Sequence, residues 1–457
     1  MYRFRKIEKL LGECEELEKQ EIYFSDISSL NDPMEGFREY FWSGDLVVWK
    51  NLLRHYLLCL ERIVMLAWVR EELFTPEDIP VFLEEEILPT TEYKQMFLEI
   101  CDRFFEIDGV NEYLEFLASS PRKISREDLC IYLNFIHRLA CHIIAEIHRE
   151  RYKLQLDLSI SYADYSNHLK QYVEVWREIS NDKEDLRKID ALFTRPLELE
   201  IMEGFDDIPI IKRNWFAILT RFPDDYLNEI IKLTYPEGYV ACFMDDCTNA
   251  AVWAHYGDEH RGVCLKFKTT EKDGCPMIDL RGITGWGSSG PEYGYRTFKF
   301  HKINYSNQFP SIDFFESLGR LPIPQLLRQW YSDRDASYSP CADWMNADTI
   351  DDWRKEYWNK YERGFFTKLK DWEYEQEQRL LLSSGLDTYK EPETRKFTYK
   401  FEDLEAIIFG MRTRIEDKVK IKKIIDAKCE DHNRNNFDFY QARYSPSLGK
   451  MIINKIR

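Results

Sequence analysis

The two ends of this chain read as strands and its middle reads as helix, an order that few folds accommodate. Between about residues 46 and 235, the segments 46–72, 93–105, 126–152 and 168–179 carry apolar residues three and four apart. That spacing belongs to helices with one buried face. Breaks fall at Pro76, Pro80, Pro89, Pro121 and the Asn181-Asp182 turn. Upstream, residues 2–6 and 22–25 are short strand candidates, followed by the turn sequence Asn31-Asp32-Pro33-Met34-Glu35-Gly36. Downstream of Pro236, strand candidates at 239–243, 262–267, 298–305, 378–382, 395–401, 404–410 and 437–444 alternate with a few helices. The expected fold class is therefore α+β. Residues 1–41 and 236–457 form one core, and residues 42–235 form an all-α domain inserted into it.

Charge divides along the same boundaries. The 457 residues carry a net charge of −18, with 63 Lys and Arg against 81 Asp and Glu. Residues 43–235 hold 36 acidic and 23 basic side chains, a net of −13, so most of the acidity sits in the helical segment. Such a balance excludes a protein that coats nucleic acid or anionic membrane with its whole surface, while a local basic groove remains compatible with it. No apolar run reaches the roughly 18 residues of a membrane span, and the first residues lack a signal-peptide pattern. Eleven cysteines without a CxxC pair suit reduced thiols, so a cytoplasmic protein that does not engage a membrane is expected.

Several short motifs bear on chemistry. Gly285-Trp286-Gly287-Ser288-Ser289-Gly290 matches GxGxxG in letters, but no helix start follows it, so it reads as a flexible loop. His137, His142 and His148 are five and six residues apart on one helix, a spacing that does not converge on a metal, and no metal site is expected. Trp253, His255 and Tyr256, with Gly257 closing their helix, are residue types that stack and hydrogen-bond a flat ring. Glu373, Glu375 and Glu377 alternate ahead of an apolar strand, and in extended geometry would share one face. Crowded carboxylates raise at least one pKa, which serves acid–base work or stabilises a cationic transition state. The same segment reads equally as a charged surface in which Arg379 makes ordinary ion pairs.

Taken in order, 22–25 with 31–35, Cys242-Phe243, 253–256 to Gly262, 372–379 and 407–410 resemble a bacterial family catalogued as domain of unknown function 2971. That family is distantly similar to ADP-ribosyltransferases, among them DNA-modifying toxins. The resemblance covers roughly 1–41 and 236–445, leaving out the helical insertion and much of 270–365. It implies a split mixed-sheet core around a cleft for NAD, which is the substrate. It assigns the first-strand role to Tyr2, Arg3 or Arg5, the middle strand to Tyr23, Phe24 and Ser25, and the catalytic carboxylate to Glu377 or Glu375. Arg3 or Arg5 would hold pyrophosphate, while Tyr23, Trp253 or Tyr256 would stack nicotinamide beside His255. Asn31 would touch ribose or shape the adjacent loop. The implied activity is cleavage of the nicotinamide–ribose bond with transfer to a macromolecule, protein or nucleic acid. A bacterial toxin or antiphage effector fits it, with a regulatory protein as partner of the helical insertion. The alternative is a catalytically inactive interaction or sensor module of a defence system.

Overall fold

The computed structural model describes residues 1–70, 72–120, 123–153, 162–179, 210–334, 337–385 and 387–456. The expected breaks at Pro121 and Asn181-Asp182 lie outside these residues. The fold is α+β, and the chain divides into two compact units. One comprises Met1–Arg38, Pro236–Pro310 and Asn359–Arg457; the other comprises Glu39–Tyr235 and Ser311–Trp358. The expected second half of the core, 236–457, is thus not continuous. Its segment Ser311–Trp358 belongs to the helical unit, because Ser311–Asp313 pairs in parallel with Glu39–Trp42 and Trp330 and Tyr331 are buried in the helical core.

The α+β unit holds two main sheets beside a two-stranded parallel pair, Asn304–Tyr305 with Thr367–Lys368. The strands of the main sheets are β1 (Tyr2–Arg5), β2 (Glu21–Tyr23), β3 (Ser25–Asp26), β4 (Gly238–Met244), β5 (Val263–Phe267), β6 (Cys275–Gly287) and β7 (Gly290–Lys299). They continue with β8 (His301–Lys302), β9 (Glu377–Ser383), β10 (Lys396–Tyr399), β11 (Leu404–Phe409), β12 (Asp438–Ser445) and β13 (Lys450–Lys455). The larger sheet runs β8-β9-β4-β1-β5-β11-β12-β13, with β3 also on β4, and is mixed because β11 and β12 are parallel. The smaller runs β7-β6-β10-β2. Strands β4 and β9 are buried on both faces; β4 reads as a near-continuous apolar run, and β9 places Leu380-Leu381-Leu382 after the polar head Glu377-Gln378-Arg379. One face of the larger sheet packs with the smaller sheet around Phe24, Leu265, Leu280, Leu380, Phe397 and Ile407. The opposite face packs Phe4, Met244, Cys264 and Ile408 beneath Trp253.

The expected glycine loop is a hairpin instead. Gly285 and Gly287 end β6, Gly290 begins β7 with φ 119°, and Ser288-Ser289 make the two-residue turn. No helix follows, so the GxGxxG letters carry no pyrophosphate cradle here.

The helical unit contains Leu46–Val69, Thr91–Phe105, Asp108–Ser119, Arg126–Tyr152, Tyr162–Ile179 and Ile210–Ile230. Asp45, Thr90 and Ser125 cap three of them by accepting bonds from backbone N–H groups one turn in. Arg126–Tyr152 is long and apolar enough to cross a membrane, contrary to the expectation from apolar runs, but its apolar residues lie inside the helical core. Its histidines are core residues: His137 pairs with the Tyr56 hydroxyl at 2.7 Å and the Ile218 carbonyl at 2.7 Å. Burial lowers the His137 and His55 pKa values to about 4, which keeps both rings neutral.

Packing of the two sheets gives a direct test. A Cβ on Gly282 would stand 2.4 Å from the Phe397 ring, whereas one on Gly285 meets nothing closer than Glu292 Oε2 at 3.7 Å. Gly282→Ala is expected to lower stability in urea unfolding by about 1–3 kcal/mol. Gly285→Ala is expected to stay within about 0.5 kcal/mol of the parent.

Candidate functional site

The ExE segment does not extend as a strand. Residues Lys370–Glu375 form a 3₁₀ turn, and Gln376 adopts a left-handed conformation at φ 48° before β9 begins. That reversal leaves Glu373 and Gln376 exposed and turns both Glu375 and Glu377 inward. The expectation that all three glutamates share one face is corrected accordingly. The turn is pinned at three points: Asp245 N donates to the Gln376 carbonyl, Asn249 Nδ2 to the Tyr374 carbonyl, and Glu377 N to the Tyr305 hydroxyl.

Both carboxylates converge on Lys368, whose Nζ lies 2.7 Å from Glu375 Oε2 and 3.2 Å from Glu377 Oε2. Glu35 joins them, with Oε1 3.1 Å from the same ammonium. Arg379 donates through Nε and one terminal nitrogen to the two oxygens of Glu377, at 2.7 and 3.0 Å. It also reaches Glu35 Oε2 at 2.6 Å and the Phe365 carbonyl at 2.8 Å. No side chain of this five-membered cluster is more than 2% exposed.

Four members lie within residues 368–379, and the fifth, Glu35, comes from near the start of the chain. Glu35 comes from the Asn31–Gly36 turn, where Asp32 Oδ1 accepts from Met34 N and the Asp32 carbonyl from Glu35 N. Lys368 ends the two-residue strand Thr367–Lys368, opposite Tyr305. Glu377 and Arg379 are two apart on β9 and so share a face. Sequence reasoning missed Glu35 and Lys368 as members, although the turn that presents Glu35 has a legible Asn-Asp-Pro signature.

Three carboxylates face two cations, so the cluster cannot be neutral with every group ionised. Burial pushes Glu377 up, but Arg379 and Lys368 outweigh it and bring the carboxyl down to about 2. Burial raises Glu375, and the attraction of Lys368 does not cancel it. The Tyr256 hydroxyl donates to Glu375 Oε1 at 2.8 Å, and burial with that carboxylate raises the phenol. Burial and Glu377 raise the Cys242 thiol, which lies opposite Arg379 on β4. His301, opposite Arg379 on β8, stacks on Phe366 at 4.2 Å and is lowered to about 4 by burial. Two adjacent glutamates with pKa values driven apart are the arrangement that separates acid from base.

Cross-strand partners share a face, so register places the other candidates. Tyr2 lies opposite Met244, which lies opposite Glu377, and Tyr2 thus shares the carboxylate face two strands away. Arg3 and Arg5 take the other face. The Arg3 guanidinium is buried over the Phe243 ring and donates to the Tyr23 carbonyl at 3.1 Å; burial and neighbouring Arg5 lower it to about 10. Arg5 pairs with Glu16. Tyr23 belongs to the smaller sheet, opposite Lys396. The expected grouping of these three with Glu377 is therefore corrected. Ser25, opposite Val240, is on the carboxylate face but about 13 Å along it.

Trp253 is fully buried beneath the face, edge-on to Phe4, with Nε1 donating to the Cys247 carbonyl, so it packs rather than stacks a ligand. Asn31 is exposed, outside the cluster. His255 is exposed, and its ring centroid is 6.2 Å from that of Trp372, whose face takes Lys368 Nζ at 4.8 Å. Tyr256, Trp372 and His255 thus form a rim above Glu375. A cavity of about 200 Å³ occurs elsewhere, in the helical unit beside Asn51, His55 and Arg328, and holds none of these groups.

No family model, curated protein or solved structure matches this chain. The site's chemistry therefore rests on its own geometry.

The cluster makes a signed prediction. Glu377→Gln takes away the carboxylate that Arg379 grips bidentately, leaves Glu35 and Glu375 to balance the two cations, and is expected to cost about 1.5–3 kcal/mol near neutral pH. A depressed carboxylate stabilises above its unfolded pKa of about 4.3, and that contribution is lost as pH falls toward about 2. The gap between parent and variant in urea unfolding is expected to be full at pH 5 and to narrow on acidification through that window.

Proposed function

We propose that the α+β unit is the core of an ADP-ribosyltransferase-like enzyme that consumes NAD. The observation that carries this reading is the Glu375–Glu377 pair at the head of β9, side by side on one lysine with opposite protonation tendencies. Nicotinamide–ribose cleavage develops positive charge on the ribose, as glycoside cleavage does. Glu377, held ionised, is the group suited to stabilise that charge. Glu375, with its raised pKa, is suited to take the proton of an incoming nucleophile. Tyr256 sets the Glu375 orientation through its hydroxyl, and the half-buried Trp372 and exposed His255 rings offer a stacking surface at the rim.

Within this proposal the first-strand role goes to Tyr2, the one of the three candidates on the carboxylate face. Substrate reaches the pair when the Lys370–Glu375 turn moves outward, since the five charged side chains are closed over at rest. A macromolecular acceptor, and a toxin or antiphage role with a regulatory protein on the acidic helical unit, complete the reading.

The closure also favours a second reading. Five charged groups that satisfy one another are what an inactive interaction or sensor module retains as a structural staple. The two readings separate on nicotinamide release from NAD, measured with the full chain and cell lysate as acceptor source. Enzyme is supported by release that falls at least about 100-fold in Glu375→Gln while the urea midpoint holds. No release under any acceptor condition would leave the staple reading.

A further inference from the structure

The smaller sheet turns one face to the core and the other to solvent, and the outer face has an unusual composition. Along β7, residues Pro291, Tyr293, Tyr295, Thr297 and Lys299 are all exposed, while Phe298 between the last two is buried. Tyr293 and Tyr295 are each 57% exposed, and Trp286, opposite Pro291 at the hairpin tip, is 59% exposed. Register extends the face across the sheet. Tyr295 lies opposite Arg281, Arg281 opposite Thr398, and Tyr23 opposite Lys396, two residues along the same strand as Thr398. Aromatic rings therefore stand on both outer strands, with cations between them.

Each exposed tyrosine on β7 has a cation over it. Arg281 Cζ is 5.8 Å from the Tyr293 centroid, and Lys400 Nζ is 4.7 Å from that of Tyr295. Residues 281–302 carry Arg281, Arg296, Lys299 and Lys302 against Glu292 alone, in a chain whose net charge is −18. The acids that touch these cations do so at the surface: Asp279 pairs with Lys400 at 3.8 Å with both side chains 43% exposed, and such pairs contribute little and exchange readily. A monomer gains nothing by holding three large rings in water, and like rings separated by cations match a ligand that alternates flat faces with negative charge.

We propose that this outer face binds single-stranded nucleic acid, with unpaired bases stacked on Tyr293 and Tyr295 and phosphates held by Arg281 and Lys400. A sheet whose outward aromatic residues stack bases is a recurrent solution for single strands, because every base offers a ring face and a paired duplex does not. The proposal rests on this face alone and is independent of the chemistry assigned to Glu375 and Glu377.

Fluorescence anisotropy of a fluorescein-labelled oligothymidylate, titrated with the full chain at low and moderate salt, tests it. Binding is expected to weaken as salt rises. The double variant Tyr293→Ala, Tyr295→Ala is expected to raise Kd at least about tenfold with an unchanged melting temperature. Arg281→Gln is expected to reduce the salt slope by about 0.7. The proposal is overturned by absence of binding at low salt, by a double variant that binds as the parent does, or by a duplex that binds as tightly as the single strand. It also falls if the oligonucleotide fails to bind while the parent sediments as a dimer that the double variant abolishes. In that case the face joins two copies of this chain.

Discussion

Lys368 stands among three carboxylates with 2% of its side chain exposed, and Arg379, fully buried, neutralises two of the same carboxylates from the other side. Removing either cation leaves buried carboxylates without a partner, a penalty of about 3–5 kcal/mol. The cluster ties the turn at Glu35 to the short strand at Lys368 and the head of β9, so the two regions, distant in sequence, depend on it for placement. Its excess of one carboxylate sets the electrostatics of the whole neighbourhood. Glu377, gripped bidentately by Arg379, takes the ionised role, and Glu375 is pushed the other way by burial.

The larger sheet uses its two faces for different purposes. On the face toward the smaller sheet, Arg3 and Arg5 are spent on the Tyr23 carbonyl and on Glu16 among the apolar residues of the core. The opposite face carries Tyr2, Cys242, Glu377 and Arg379, and this is where titratable groups gather. Alternation along strands enforces the division: moving one residue along β1, from Tyr2 to Arg3, crosses from one environment to the other.

The broad fold is legible in the sequence because long helices repeat their apolar spacing. The reading of 126–152 matches Arg126–Tyr152, and Leu46–Val69 ends within a turn of the reading 46–72. The return of Ser311–Trp358 to the helical unit is not legible, since a three-residue parallel pairing with Glu39–Trp42 has no local signature. At the site, the sequence points to Glu375 and Glu377 but mistakes their geometry. A left-handed Gln376 interrupts what alternation suggests is a strand, and a non-glycine residue gives little notice of that conformation. Glu35 stays hidden because its partners are remote in the chain, and Lys368 because nothing near it announces that an ammonium there is buried, although Glu375 and Glu377 follow seven and nine residues on.

The central claim is that two glutamates paired to one lysine ammonium titrate in opposite directions, because burial raises Glu375 while Arg379 and Lys368 together lower Glu377. Carbon-detected NMR of the glutamate side-chain carboxyls, followed from neutral pH downward and assigned with Glu375→Gln, observes this directly. The expected result is one carboxyl, Glu377, that remains ionised until pH approaches about 2, and another, Glu375, that protonates above the ordinary glutamate value. Two carboxyls titrating together near the unperturbed value of about 4.3 would contradict the account.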